Sequence, residues 1–206
     1  MSTEKFQNKY RIETARATWH NYDGGFYHIT ICTKDRIEYF GTIEKGKSGP
    51  EMFLTPIGEY AQEQFENVQT HYPYADIPSF VIMPDHIHAI IHIDGNKCKS
   101  NQQTHNDAVP GKDGMYPVSI SNNDGMYPVS ETMQSISHQK GPLSVVVGGL
   151  KRAITKFAND NDIPFAWQTR FHDHIIKNQI QLNETEKYIK RNIAKGYEDK
   201  MKNKHQ

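Results

Sequence analysis

Cysteine is scarce in this 206-residue chain, and so are long apolar runs and any excess of one charge sign. Cys32 and Cys98 are the two cysteines, too few for a disulfide framework or a zinc ribbon. No apolar run approaches about 18 residues and none opens the sequence, so we expect neither a membrane span nor a signal peptide. The length suits a single domain over residues 1–206, and the composition predicts a cytosolic protein.

Charge balances over the whole chain but not along it. The sequence contains 24 Lys and Arg against 24 Asp and Glu, so the net charge does not indicate a nucleic-acid partner. Residues 151–206 nevertheless hold 12 basic and 7 acidic residues. Such a local surplus suits a surface for a polyanion, although a solvated helical face gives the same count and is the commoner cause.

The apolar pattern predicts the element order strand, helix, strand, strand. Residues 26–33 follow a Gly-Gly turn and are rich in aromatic and β-branched residues, which is typical of a central strand. Thr55-Pro56 predicts a helix start, because threonine is a good N-cap and proline suits the first helical position. The predicted strands are 26–33, 51–54, 77–83 and 87–93, and the predicted helices begin at Thr55 and Leu143.

Residues 95–140 interrupt this pattern. Asn, Ser, Gln, Gly, Asp and His dominate there, and the heptapeptide DGMYPVS occurs twice, at 113–119 and 124–130. Two copies are too few for a solenoid, so the segment is predicted to be a flexible low-complexity insertion. Tyr116 and Tyr127 within it are poor candidates for a nucleophile, because a catalytic group must be held still.

The run VIMPDHIHAIIHI at 81–93 carries the first chemical signal. Successive strand side chains alternate in direction, so His86 and His88 share a face with Ile90 and His92, whereas the opposite face is wholly apolar. Pro84-Asp85 predicts a bend just before the pair, so the histidines begin the strand, where a site can open. Two neutral imidazoles at this spacing suit a metal ion, but half-buried polar residues without a ligand are an equally common explanation.

The second signal lies near the C terminus. Asn183 as N-cap and Gly196 as terminator predict a short helix between them. Tyr188 and Asn192 lie one turn apart on this helix, off the stripe of isoleucines that can face the core. A tyrosine on a short helix usually packs. Beside two imidazoles and an amide oxygen that hold a divalent cation, however, a phenol can attack phosphorus as a nucleophile.

Together these motifs resemble the REP-associated tyrosine transposases, single-tyrosine relatives of the insertion-sequence-200-like transposases. The His-hydrophobic-His signature is preceded by NYDGGFYHITICTKDR and followed by LKRAITKFA, WQTRFHDHIIKN and EKYIKRNIAKG. The likeness thus covers nearly the whole chain outside residues 95–140. Members commonly carry Asn-Pro after the tyrosine, whereas Ile193 follows Asn192 here, which predicts a helix that continues.

The resemblance implies an α+β fold, a ferredoxin-like antiparallel sheet with helices packed on one face, as in HUH endonucleases. It implies that His86, His88 and Asn192 bind Mg²⁺ or Mn²⁺ and that Tyr188 takes a 5′-phosphate covalently. The implied substrate is single-stranded DNA, often beside a hairpin, which a bacterial protein at the nucleoid would cut and rejoin without ATP. The DNA contacts expected from charge or aromatic faces are Lys151, Arg152, Trp167, Arg170, Phe171, His174 and Lys195.

Two other functions stay open. His172 and His174 form a second His-x-His, and with His86 and His88 they would build a binuclear metal phosphoesterase in which Tyr188 is structural. The chain would otherwise be a domesticated protein that recognises DNA hairpins without cutting them. Whether it acts as a monomer or a homodimer, and whether Tyr188 serves its own subunit or a partner's, also stays open.

Overall fold

A computed structural model describes residues 24–98 and 141–203. The duplicated DGMYPVS tract, with Tyr116 and Tyr127, lies outside these residues. The elements in chain order are β1 (Gly25–Thr33), β2 (Gly41–Lys45), β3 (Pro50–Leu54), α1 (Pro56–Glu66), α2 (Val68–His71), β4 (Ala75–Met83), β5 (His86–Ile93), α3 (Pro142–Asp160), β6 (Trp167–Ile176) and α4 (Gln179–Asn203).

The main sheet has four antiparallel strands in the order β4-β5-β1-β6. Without the separate β2–β3 hairpin, the chain follows the β-α-β-β-α-β order of a split βαβ fold. The antiparallel sheet and the central position of β1 are therefore as predicted. The hairpin is an addition to the predicted order, since only its second strand was expected.

The main core lies between one face of the sheet and the helices α1 and α3. Tyr27, Ile29 and Ile31 of β1 point to this side and are completely buried. The start of α1 is as predicted, because Thr55 Oγ1 accepts a hydrogen bond from Gly58 N at 3.3 Å and Pro56 takes the first helical position.

The opposite face of the sheet is partly covered by α4, which adds a third layer to the predicted two. A second apolar cluster forms there, and Ile189 of α4 packs in it with Ile90 of β5 and Val81 of β4. The isoleucine stripe of α4 needs a partner, and Ile90 is the apolar residue between the histidines of that face. The histidine face of β5 therefore lies beneath the tyrosine helix.

Both predicted ends of the tyrosine helix are wrong. Helix α4 begins before Asn183 because Asn178 caps it, with its Oδ1 accepting from Gln181 N at 2.9 Å. It runs through Gly196, where a Cβ would lie 2.8 Å from Ile43 Cδ1, so glycine permits close packing there and does not end the helix. The predicted continuation past Asn192 is confirmed.

None of the helices in the described part of the chain is long and apolar enough to cross a membrane.

Candidate active site

The turn between β4 and β5 fixes the start of the histidine strand. Met83 pairs with His86, so Pro84 and Asp85 form a two-residue connection. Thr33, at the end of β1, donates from both its backbone N and its Oγ1 to the carbonyl oxygen of Asp85, each at 2.9 Å. The bend predicted before the histidines is thus anchored to the neighbouring strand.

His86 is held by a carboxylate on its Nδ1 side. Its Nδ1 lies 2.5 Å from Asp85 Oδ1, and Asp85 Oδ2 lies 3.0 Å from Arg36 Nε. Burial raises the pKa of Asp85, but the hydrogen bond and charge of His86 and the charge of Arg36 outweigh it and hold the pKa below its usual value. An ionised carboxylate can only accept a hydrogen bond, so we infer that His86 Nδ1 carries the proton and that the lone pair available to a ligand is on Nε2.

His88 is almost fully enclosed, with 7% of its surface exposed. Its Nδ1 lies 2.9 Å from Thr30 Oγ1 and 3.3 Å from His28 Nε2. Burial, followed by the charges of His86, His28 and Arg36, lowers the pKa of His88 to about 3. The ring is therefore neutral at physiological pH, as a metal ligand must be.

Tyr188 reaches His88 from the covering helix. Its Oη lies 3.3 Å from His88 Nε2, and the two rings are 5.2 Å apart at 79°. The phenol is nevertheless 42% exposed, so its outer side is open to a large substrate. Tyr188, 100 positions after His88 in the chain, thus contacts Nε2 of His88, while Thr30 contacts Nδ1 of the same ring.

Asn192 lies one turn beyond Tyr188 and is 6% exposed. Its Nδ2 donates to the carbonyl oxygen of Tyr188 at 2.8 Å, which leaves the side-chain oxygen as an acceptor. Ile189, which is 1% exposed, anchors the same turn in the second apolar cluster. The predicted separation of a chemical face from an isoleucine stripe is confirmed.

A divalent cation fits the donor chemistry of this site. The rings of His86 and His88 are 4.8 Å apart and perpendicular. The contact on His86 Nδ1 leaves its Nε2 for coordination, whereas His88 Nε2 faces Tyr188 Oη at 3.3 Å, a contact that a bound cation would replace. Within residues 24–98 and 141–203, no group of three or more His, Cys, Asp or Glu is placed to hold a metal ion. A cation here would therefore depend on the two imidazoles, on neutral oxygens such as that of Asn192, and on water.

Sequence reasoning missed His28 and Thr30. Thr30 of β1 pairs with His88 of β5 in the strand register, so Thr30 and His28 lie on the same face of the sheet as His88. Burial, and then the charge of His174, lowers the pKa of His28. Alternation along β1 places the two residues on one face, but only the register shows that this face is the histidine face.

The second His-x-His pair does not join the first. His172 and His174 are exposed on β6, where they pair with Thr30 and His28 of β1. β1 therefore separates them from the histidines of β5. The binuclear arrangement receives no support from this placement.

Three of the predicted DNA contacts lie at the seam between α3 and β6. Lys151 Nζ donates to the carbonyl oxygen of Gln168 at 2.9 Å and lies 5.4 Å from the centre of the Trp167 ring. Trp167 and Phe171 are half-buried and pack against the main core, on the side away from Tyr188. These contacts tie the helix to the edge strand, and a role in DNA binding stays a prediction.

The other predicted contacts are exposed. Arg152 lies on the outer surface of α3, the helix that covers the main-core face of the sheet. Arg170 and His174 lie on β6, and Lys195 lies on α4. His174 pairs with His28, so it shares the face of the sheet on which Tyr188 lies. Of the predicted set, His174 is the residue that the register brings nearest to the histidine cluster.

No family model matches the sequence. The chain is 28% identical over 206 residues to an uncharacterised protein of Haemophilus influenzae, and the match covers 98% of each chain. Among solved structures it is similar to a REP-associated tyrosine transposase bound to a REP hairpin, with 16% identity, a TM-score of 0.49, and coverage of 88% of this chain and 74% of that one. It is also similar to a protein from Deinococcus radiodurans R1 assigned as a transposase, with 10% identity, a TM-score of 0.38, and coverage of 85% and 95%.

Proposed function

We propose that the protein is a metal-dependent DNA strand transferase that cuts and rejoins single-stranded DNA through a covalent bond to Tyr188. The observation that carries the proposal is the approach of Tyr188 Oη to His88 Nε2 at 3.3 Å. It brings a half-exposed phenol to a buried, neutral imidazole whose other nitrogen is already engaged. Simple packing would not require either the phenol oxygen or the paired histidines.

The proposed reaction is a transesterification. The phenol oxygen of Tyr188 loses its proton and attacks phosphorus, while the bond from phosphorus to the 3′ oxygen breaks and that oxygen takes up a proton. The downstream strand is then held as a 5′-phosphotyrosine, and attack by a 3′-hydroxyl reverses the step. Since one phosphodiester replaces another, no ATP is needed.

The chain's own residues divide the work. His86 and His88 would hold Mg²⁺ or Mn²⁺, and Asn192 would add a neutral oxygen. When bound, the cation withdraws charge from a non-bridging phosphate oxygen. The isoleucines of α4 hold Tyr188 over the strand, so the nucleophile and the ligand pair keep a fixed relation.

The substrate that we propose is single-stranded DNA beside a hairpin, as the motif resemblance implies. The exposed outer side of Tyr188 and the exposed histidines of β6 lie on one face of the sheet. An extended strand of DNA can cross such a face, whereas an enclosed pocket would admit a mononucleotide.

The test is a covalent trap with a 3′-labelled single-stranded oligonucleotide from the genomic flank of the gene, in Mn²⁺. Label should become attached to the wild type and to Tyr197→Phe, a matched control on the same helix, but not to Tyr188→Phe. Mass spectrometry should place the adduct on Tyr188. Undiminished labelling of Tyr188→Phe would contradict the proposal, and hairpin binding without an adduct would indicate a protein that recognises DNA without cutting it.

A further inference from the structure

A strained turn follows β1. Lys34–Arg36 forms a single turn of 3₁₀ helix in which Asp35 has a φ of 55° and Arg36 a φ of 59°. Both values lie in the left-handed region, which costs free energy for any residue with a Cβ. Asp is tolerated there more often than Arg. Two such residues in succession persist where their surroundings impose the conformation.

The turn places the guanidinium of Arg36 between two strands. Its Nε lies 3.0 Å from Asp85 Oδ2, and its Nη1 donates to Cys32 Sγ at 3.1 Å. The Arg36 side chain is 56% exposed, and an ion pair in such a setting contributes little to stability. The ion pair is thus a weak reason to retain a left-handed arginine where glycine would fit without strain.

Asp85, the partner of Arg36, also contacts His86, a predicted metal ligand. Asp85 uses one carboxylate oxygen for Arg36 and the other for His86 Nδ1, so the carboxylate connects the two side chains. The carbonyl of Asp85 is fixed separately by Thr33. The backbone of the turn is therefore held without Arg36, and what Arg36 adds is the orientation of the carboxylate.

We propose that Arg36, acting through Asp85, is a positioning residue that holds the His86 ring with Nε2 directed to the metal. This inference rests on the proposed function in that it takes His86 as a ligand. The carboxylate selects the Nδ1–H tautomer, and Arg36 keeps the other carboxylate oxygen engaged, so that Oδ1 stays directed to His86 Nδ1. Outer groups of this kind typically change metal affinity by about 10- to 100-fold when they are removed.

The test uses two glycine substitutions in the same turn. Arg36→Gly and Asp35→Gly both relieve a left-handed residue, but only the first removes a side chain that contacts Asp85. Calorimetric titration with Mn²⁺ should show affinity reduced by about 10-fold in Arg36→Gly and unchanged in Asp35→Gly. Thermal unfolding of the metal-free variants should show no loss of stability in Arg36→Gly that would account for the weaker binding.

Two further variants refine the result. Arg36→Lys keeps the charge but lacks the fork that reaches both Asp85 and Cys32, so it should not restore full affinity. Asp85→Asn should weaken Mn²⁺ binding by about 10-fold or more. Nitrogen NMR of the metal-free protein should report His86 as the Nδ1–H tautomer in the wild type and a gain of the Nε2–H tautomer in Asp85→Asn.

Failure of the inference and failure of the proposed function give different results. If His86→Ala abolishes Mn²⁺ binding while Arg36→Gly and Asp35→Gly bind equally, the inference is overturned and the metal site stands. A wild-type His86 in the Nε2–H tautomer also overturns it, without reference to any metal. If the wild type does not bind Mn²⁺ at all, the proposed function fails and the inference falls with it.

Discussion

Acidification of the metal-free protein should destabilise it largely through His88. Burial first, and then nearby positive charges, lowers the pKa of His88 to about 3 in the folded chain, whereas the ordinary value is 6.5. Above pH 6.5 the ring is neutral in both states and its protonation adds nothing to stability. As the pH falls below 6.5, the unfolded chain takes up a proton that the folded chain refuses until about pH 3. Stability is therefore lost across this window.

The size of the effect follows from the width of the window. One pKa unit corresponds to about 1.4 kcal/mol, so the loss approaches about 5 kcal/mol at the acid end and is about 2 kcal/mol between pH 7 and pH 5. The pKa of His28 is also lowered, first by burial and then by the charge of His174, so His28 acts in the same direction.

Urea unfolding in the presence of a chelator, at pH 7 and pH 5, measures the effect. His88→Gln should lose about 2 kcal/mol less than the wild type over this interval, because glutamine does not titrate. The control is Gly148→Ala, which changes no titrating group and adds a Cβ that meets no atom within 4 Å, so it should retain the wild-type pH dependence. Parallel losses in His88→Gln and the wild type would refute the assignment of the buried neutral imidazole.

The parts of the site that could be predicted are those set by local periodicity. The strand period of two places His86 and His88 on one face, and the helical period places Tyr188 and Asn192 on another, each with an apolar stripe behind it. The structure brings Tyr188 Oη to within 3.3 Å of His88 Nε2. Both faces could be predicted from the sequence because each lies within a single strand or helix.

The parts that escaped prediction depend on pairing between distant segments or on dual roles of one residue type. His28 joins the cluster only through the register of β1 with β5. Arg36 reaches the cluster only because Asp35 and Arg36 adopt left-handed backbone conformations, which the sequence Lys-Asp-Arg does not predict. Gly196 resembles a helix terminator, yet it provides close packing against Ile43, since glycine serves both purposes.

Strand β6 was missed for a related reason. It is an edge strand, and half of its residues are exposed, three of them in a row at Gln168, Thr169 and Arg170, so it lacks the apolar alternation of a half-buried strand. Its identity as a strand comes from pairing with β1. The same exposure keeps His172 and His174 accessible on the histidine face.

Two further predictions separate packing from chemistry. Gly148→Ala should stabilise the protein by about 0.5 to 1 kcal/mol in thermal unfolding, because its Cβ would meet no atom within 4 Å. Gly149→Ala should destabilise it, since the Cβ would stand 1.8 Å from Tyr72 Oη, which is buried; equal stability of the two variants would contradict the packing of α3. In the covalent-adduct assay, the double variant His86→Ala, His88→Ala should have no activity at any Mn²⁺ concentration. Asn192→Ala should retain weak activity that rises with added metal. Two imidazoles on a rigid strand define the site, and water can replace a neutral amide oxygen at modest cost. Activity of Asn192→Ala that is equally low at every Mn²⁺ concentration would show that Asn192 supports Tyr188 through the hydrogen bond to its carbonyl and does not bind the cation.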